Sequence, residues 1–197
     1  MADSRLVEAD VNFVKQLKAM GGDTLKKCYQ CATCSVVCPI SPDESPFPRK
    51  EMVAAQWGLK DRLVGNMDVW LCHYCGDCST YCPRGAKPGD VLNAARAMTI
   101  SEYAWPACLG RIVPDSSKWW LLLAIPIVLF LIILGATGHL HIPEGEIEFA
   151  HFFPTLIVDL IFVPLAMLWI PITFGIGLKK FVNDIHENAV ADGRAKR

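Results

Sequence analysis

The chain has 197 residues, of which 52% are hydrophobic, and a formal net charge of −1. With 19 Lys and Arg against 20 Asp and Glu there is no basic surplus of the kind that nucleic-acid binding asks for. Its length allows either one large domain or a small domain with a membrane segment, and the uneven spread of hydrophobic residues favours the second.

The first residues, MADSRLVEADVN, contain no apolar signal core, so the N-terminal part is expected to stay in the reducing cytoplasm. Leu6, Val7, Val11, Val14 and Leu17 recur near helical period and predict a helix that stops at Gly21–Gly22. There follows CYQCATCSVVCP at 28 to 39: four cysteines at gaps of two, two and three residues, closed by Pro39. The segment RKEMVAAQWGLKDRLV reads as helix. Then CHYCGDCSTYCP at 72 to 83 repeats the same gaps 44 residues on, closed by Pro83. After it DVLNAARAM, led by Pro88–Gly89, again predicts a helix.

A spacing that recurs intact is an internal repeat, and both copies are expected to bind the same thing. Disulfides do not suit a reducing compartment. Zinc sites use two well-separated cysteine or histidine pairs around one tetrahedral ion, whereas here a third cysteine follows at once and a fourth precedes a proline. The run C-x2-C-x2-C-x3-C-P is instead the ligand pattern of a [4Fe–4S] cluster, the fourth cysteine going to the other cluster when two are present. Two [4Fe–4S] clusters with crossed ligation are therefore expected. Cys28, Cys31, Cys34 and Cys82 would hold the first, and Cys72, Cys75, Cys78 and Cys38 the second. Tyr29, His73, Tyr74 and Tyr81 lie inside the loops, where aromatic rings could screen a cluster from water. His73 reads as a filler residue because the cysteine sets are complete. Lys26, Lys27, Arg84 and Lys87 beside the loops either offset the negative charge of the clusters or face an acidic partner. Cys108 lies outside both motifs and reads as an unliganded thiol.

The second half is apolar. Trp119–Gly138 has no charge, and Phe152–Leu178 has only Asp159. Each stretch is long enough to cross a hydrocarbon core of about 30 Å. Arg111 and Lys118 precede the first, Lys179 and Lys180 follow the second, and the connection between them has three glutamates and no Lys or Arg. The positive-inside rule then places both chain ends in the cytoplasm, with the chain in the inner membrane. The expected organisation is all-α: a di-cluster α-helical ferredoxin domain over 1–117, a membrane domain over 118–180 with spans at about 119–138 and 152–178, and a tail over 181–197.

The two cysteine runs 44 residues apart, the helical intervening sequence and the following membrane segment together resemble the C subunit of heterodisulfide reductase. The chain looks more like the C subunit of the quinone-interacting membrane-bound oxidoreductases of sulfate reducers, in which such a ferredoxin is fused to a cytochrome b-like membrane part. That resemblance implies electron transfer between menaquinone and flavin- and iron–sulfur-containing partner subunits, and onward to adenylylsulfate reductase. It also implies haem b, for which His139, His141 and His151 are the candidate ligands, the alternative being interfacial or loop histidines. His186 lies beyond the inner end of the second span. Asp159, the only ionisable residue within either span, is a candidate for quinone-linked proton transfer, with a structural role as the alternative. The membrane part is shorter than that of the family, and no Cys-Cys-Gly motif occurs, so disulfide reduction is not expected on this chain. No complete catalytic site is read from it. An iron–sulfur membrane sensor and a heterodisulfide-reductase-type electron-transfer subunit are the competing functions.

Overall fold

A computed structural model describes residues 8–138 and 155–194. The described residues are mostly helical and contain no strand. In chain order they form α1 (Val11–Ala19), α2 (Thr33–Val36), α3 (Arg49–Gln56), α4 (Lys60–Leu63), α5 (Met67–Leu71), α6 (Asp77–Thr80), α7 (Pro88–Tyr103), α8 (Ala107–Ile112), α9 (Trp119–Ala136) and α10 (Thr155–Ala191). Short 3₁₀ turns occupy Asp23–Lys27 and Ser116–Lys118.

The chain divides into two compact units. One runs to Tyr103 and takes back the residues from Lys179 onward; the other is Ala104–Leu178. The residues from Lys179 onward thus cluster with the cysteine-bearing unit. The reason is side-chain chemistry that composition does not display. Phe181 packs edge-on against Trp70 and Tyr103, with ring centroids 5.8 and 5.2 Å apart. The Tyr103 hydroxyl donates to Asp184 Oδ2 at 2.6 Å, and Arg194 donates to the fully buried Asp68 at 2.8 Å. Gly65, at φ +78°, makes the approach possible, since a Cβ there would lie 2.9 Å from both Asp184 Cβ and Tyr103 Oη.

In the cysteine-bearing unit α1 starts where Asp10 Oδ1 accepts the amides of Asn12 and Phe13, a side-chain N-cap. Phe13 and Leu17 are its buried residues, while Val11, which the apolar spacing puts on the core face, is 64% exposed. Leu6 and Val7 lie outside the described residues. The segment that reads as helix after the first cysteine run forms α3 and α4, separated at Gly58 (φ +70°), whose carbonyl accepts the Asp10 amide. Leu17, Leu25, Met52, Ala55, Val69, Leu92 and Ala95 form the middle of a single core, and Cys28, Cys72 and Cys82 pack on its edge. That places both cysteine runs on the rim of a dry, close-packed interior.

In the other unit, α9 and α10 are long and apolar enough to cross a membrane. Almost none of their apolar side chains is buried by the protein, which is the reverse of a soluble core helix. Phe130 faces Phe162 at 6.2 Å and Trp105 faces Trp169 at 5.3 Å. The 37 residues of α10 would extend about 55 Å, well beyond a hydrocarbon core of about 30 Å, and its last turns belong to the cysteine-bearing unit.

Candidate iron–sulfur sites

The two cysteine runs repeat in backbone as well as in sequence. In the first, Gln30 and Ala32 have φ of 69° and 68°; 44 residues on, Tyr74 and Gly76 have 60° and 90°. Left-handed non-glycine residues are disfavoured by about 1–2 kcal/mol each, so three of them at matched positions mark loops shaped for a ligand. After each left-handed pair comes one turn of helix, α2 or α6, carrying the third cysteine. Amides turned inward by such alternation make concavities that suit anionic groups, iron–sulfur centres among them.

Each loop encloses a cavity. One, with about 340 Å³ of space open to solvent, is lined by Cys28, Cys31, Cys34 and Cys82 with Tyr29, Arg49 and Pro88. The other, about 370 Å³, is lined by Cys72, Cys75, Cys78 and Cys38 with Phe47, Pro48, His73, Tyr74 and Asp77. The near-equal sizes follow from the shared backbone. Among the described residues, no three His, Cys, Asp or Glu side chains converge as ligands of one ion would. Four thiols spread around a cavity are what a polynuclear cluster takes, one thiolate per iron. The residues present therefore fit a [4Fe–4S] group at each cavity.

The thiols differ in environment along each run. Cys34 and Cys78 are buried, Cys31 and Cys75 exposed, and the remaining four intermediate. Burial pushes the Cys34 thiol up to about 11, helped by the neighbouring thiols, and raises Cys78 likewise. Cys31 is held below the usual thiol range, chiefly by the Thr33 hydroxyl, whose Oγ1 lies 3.2 Å from Sγ. At the equivalent place in the second run the Cys75 thiol donates to Asp77 Oδ2 at 3.5 Å. Hydrogen bonds to the sulfurs and nearby charges are what tune the potential of a bound cluster.

Two residues that the motif does not announce hold the loops in place. Gln56 donates from Nε2 to the carbonyls of Leu25 and Cys28 at 3.0 and 2.8 Å, and its Oε1 accepts from Gln30 at 2.7 Å. Arg96 donates to the carbonyls of Val69 (2.9 Å), Trp70 and Cys72, satisfying the open end of α5 where the second loop begins. Their sidedness in a helical wheel gives no hint of this, because the partners lie 24 to 31 residues away.

Of the other candidate residues, Tyr29 and Tyr74 line the cavities but stand 57% and 54% exposed, so they shield only in part; Tyr81 lines neither. His73 is exposed on the rim of the second cavity. Cys108 is an exposed free thiol on α8. Asp159 is exposed near the start of α10, and His186 near its end. His139, His141 and His151, and the start of the second predicted span before Thr155, lie outside the described residues.

Comparison with known proteins names the architecture. Residues 24–86 match the model of the 4Fe-4S dicluster domain. This segment is a dicluster ferredoxin domain. It is similar to the C subunits of heterodisulfide reductases. Against the C subunit of the H(2):CoB-CoM heterodisulfide,ferredoxin reductase of Methanothermobacter marburgensis it is 39% identical over 88 residues, covering 44% of this chain and 47% of that protein. A protein of Archaeoglobus profundus described as like the heterodisulfide reductase C subunit is 30% identical over 105 residues, 53% of this chain and 56% of its own length. The iron–sulfur C subunit of the CoB–CoM heterodisulfide reductase of Methanopyrus kandleri is 38% identical over 79 residues, 40% of this chain and 41% of its own. The chain thus spans about half the length of the curated relatives it matches.

Proposed function

We propose that the protein is an electron-transfer subunit of a membrane-bound, quinone-linked oxidoreductase complex. It passes electrons between menaquinone and flavin- and iron–sulfur-containing partner subunits on the cytoplasmic side, and onward to adenylylsulfate reductase. The observation that carries this reading is the presence, in one chain, of two four-cysteine cavities and two helices apolar enough to cross a membrane. Cys28, Cys31, Cys34 and Cys82 would hold one [4Fe–4S] cluster and Cys72, Cys75, Cys78 and Cys38 the other. When bound, each cluster supplies a site that accepts and releases single electrons.

The chain's own residues supply the rest. Gln56 and Arg96 fix the two loops so that little rearrangement accompanies a change of charge. Both chain ends lie in the cytoplasm, a topology supported by the lysines that flank the spans on one side. Asp159, the one ionisable side chain of the apolar stretch 152–178, is the group that would exchange the protons quinone chemistry needs. Haem b held by two of His139, His141 and His151 is the further step that the resemblance implies, and a haem assay on the intact complex tests it.

The deciding experiment uses the full chain in lipid nanodiscs with a menaquinol analogue. The visible absorption of the clusters should bleach with the analogue, and Asp159→Asn should slow the bleaching while dithionite still reduces the clusters fully. Bleaching by dithionite alone in both proteins would remove the quinone from the reading and favour a heterodisulfide-reductase-type subunit served by protein partners. The likeness to heterodisulfide reductase C subunits supports that second reading.

A further inference from the structure

The two cysteine loops share a backbone but carry different charge where they open to solvent. Of the motif cysteines only Cys31 and Cys75 are exposed, and they occupy equivalent positions. Beside Cys31, Arg84 lies over the Tyr29 ring at 6.0 Å, and Arg49, which lines the cavity, donates to the Gln30 carbonyl at 3.2 Å. Lys26 and Lys27, both exposed, end the turn that leads into Cys28. Among the described residues none of these four cations has an ion-pair partner, whereas Lys60, Arg62, Lys87 and Arg194 in the same unit each pair with a carboxylate. Beside Cys75 stand Asp77 and Asp90; the first accepts from the cysteine, the second from Tyr74, and Lys87 is spent on Asp90.

We propose that the face around Cys31, made by Tyr29, Lys26, Lys27, Arg49 and Arg84, docks an acidic redox partner. This deepens the function proposed above and rests on it. Exposed aromatic rings with arginine are the composition of interface hot spots, and unpaired like charges at the rim steer an oppositely charged protein and select against a basic one. An exposed ligand corner is also the place where a redox partner comes nearest to a bound cluster. Nothing equivalent surrounds Cys75 among the described residues, so the second loop would not compete for the same partner.

The test takes an acidic flavodoxin and a basic cytochrome c as probes, with the full chain in neutral-lipid nanodiscs and its iron content measured first. Flavodoxin should bind and cytochrome c should not, and the affinity for flavodoxin should fall as salt rises. The double reversal Lys27→Glu/Arg84→Glu should weaken flavodoxin binding about ten-fold or more, and the equally charged reversal Lys15→Glu/Lys18→Glu on α1 should change it less than about two-fold. Equal losses in both reversals would overturn the proposal in favour of net charge alone. So would binding left intact but iron lost in Lys27→Glu/Arg84→Glu, which would make the cations internal counterions of the cluster. If anionic-lipid nanodiscs abolish flavodoxin binding by the wild type, the face is a lipid contact and the proposal is likewise overturned. Iron absent from the wild-type chain would fail the functional reading itself, whereas iron present with no preference between the probes would fail only the docking face.

Discussion

The first and second cysteine loops are a comparison set up by the molecule itself. Their backbones coincide in the left-handed positions, in the single helical turn that follows and in the fourth cysteine borrowed by the other's cavity. The side chains at matched places do not coincide. Thr33 meets Cys31 where Asp77 meets Cys75, and Gln30 donates to Gln56 where its counterpart Tyr74 donates to Asp90. Cysteine spacing and backbone thus define what is held, and the neighbours define at what potential and facing whom.

The largest effect should come from breaking the exchange of fourth cysteines. Cys82→Ser is expected to cost the cluster of the first loop and spare that of the second, taking iron from about eight to about four per chain. Cys38→Ser should do the converse. Electron paramagnetic resonance on the two variants would distinguish the surviving clusters, and loss of the cluster of the second loop in Cys82→Ser would refute the crossed arrangement.

Next is the charge network behind the loops. Glu51 on α3 is 1% exposed, neither carboxylate oxygen has a hydrogen-bond partner, and Lys50 Nζ stands 3.8 Å away. Burial raises its carboxyl to about 7 from 4.5, with Lys50 opposing. Asp68, also desolvated, is nevertheless held below its usual range by the hydrogen bonds of Arg194 and Lys50. Because the folded state holds the Glu51 proton more tightly than the unfolded chain, the contribution of this group is full below about pH 4.5 and is lost as pH rises toward 7. Glu51→Gln should flatten that part of the stability profile and leave the protein more stable at pH 8, by an amount on the order of 3 kcal/mol. Urea unfolding at pH 5 and 8 reads the difference, and an unchanged pH slope would show that Glu51 is not the group responsible.

The matched left-handed positions give a subtler contrast with opposite signs. Gly76→Ala puts a Cβ within 4 Å of no other protein atom, so from the protein's own contacts only backbone strain should cost stability, about 1 kcal/mol in urea unfolding. Ala32→Gly should relieve the same strain and gain a similar or smaller amount. Of similar size is the contact of the tail: Tyr103→Phe keeps the ring against Phe181 and removes one bond to Asp184, for a loss of about 1 kcal/mol in thermal unfolding.

What can be read from the sequence follows the same division. The repeat, the apolar stretches and the absence of strand alternation are local patterns, and the mostly helical fold, the dicluster domain and the two long apolar helices answer to them. Gln56, Arg96 and Glu51 are not legible there because each acts through partners brought near only by packing, and nothing about a glutamine or arginine in a helix marks it as a loop clamp. The tail reads as polar and separate since its contacts rest on single residues, Phe181, Asp184 and Arg194, spaced too irregularly to form an apolar stripe. Val11 shows the opposite failure: a residue on the apolar period that the core does not use.

The measurement closest to the centre of the account is quantitation of iron and acid-labile sulfide, with Mössbauer spectroscopy, on the full chain purified without oxygen. The account predicts about eight of each per chain and spectra of [4Fe–4S] centres alone. Zinc in place of iron, or a single cluster with four cysteines alkylated freely by a thiol reagent, would contradict it.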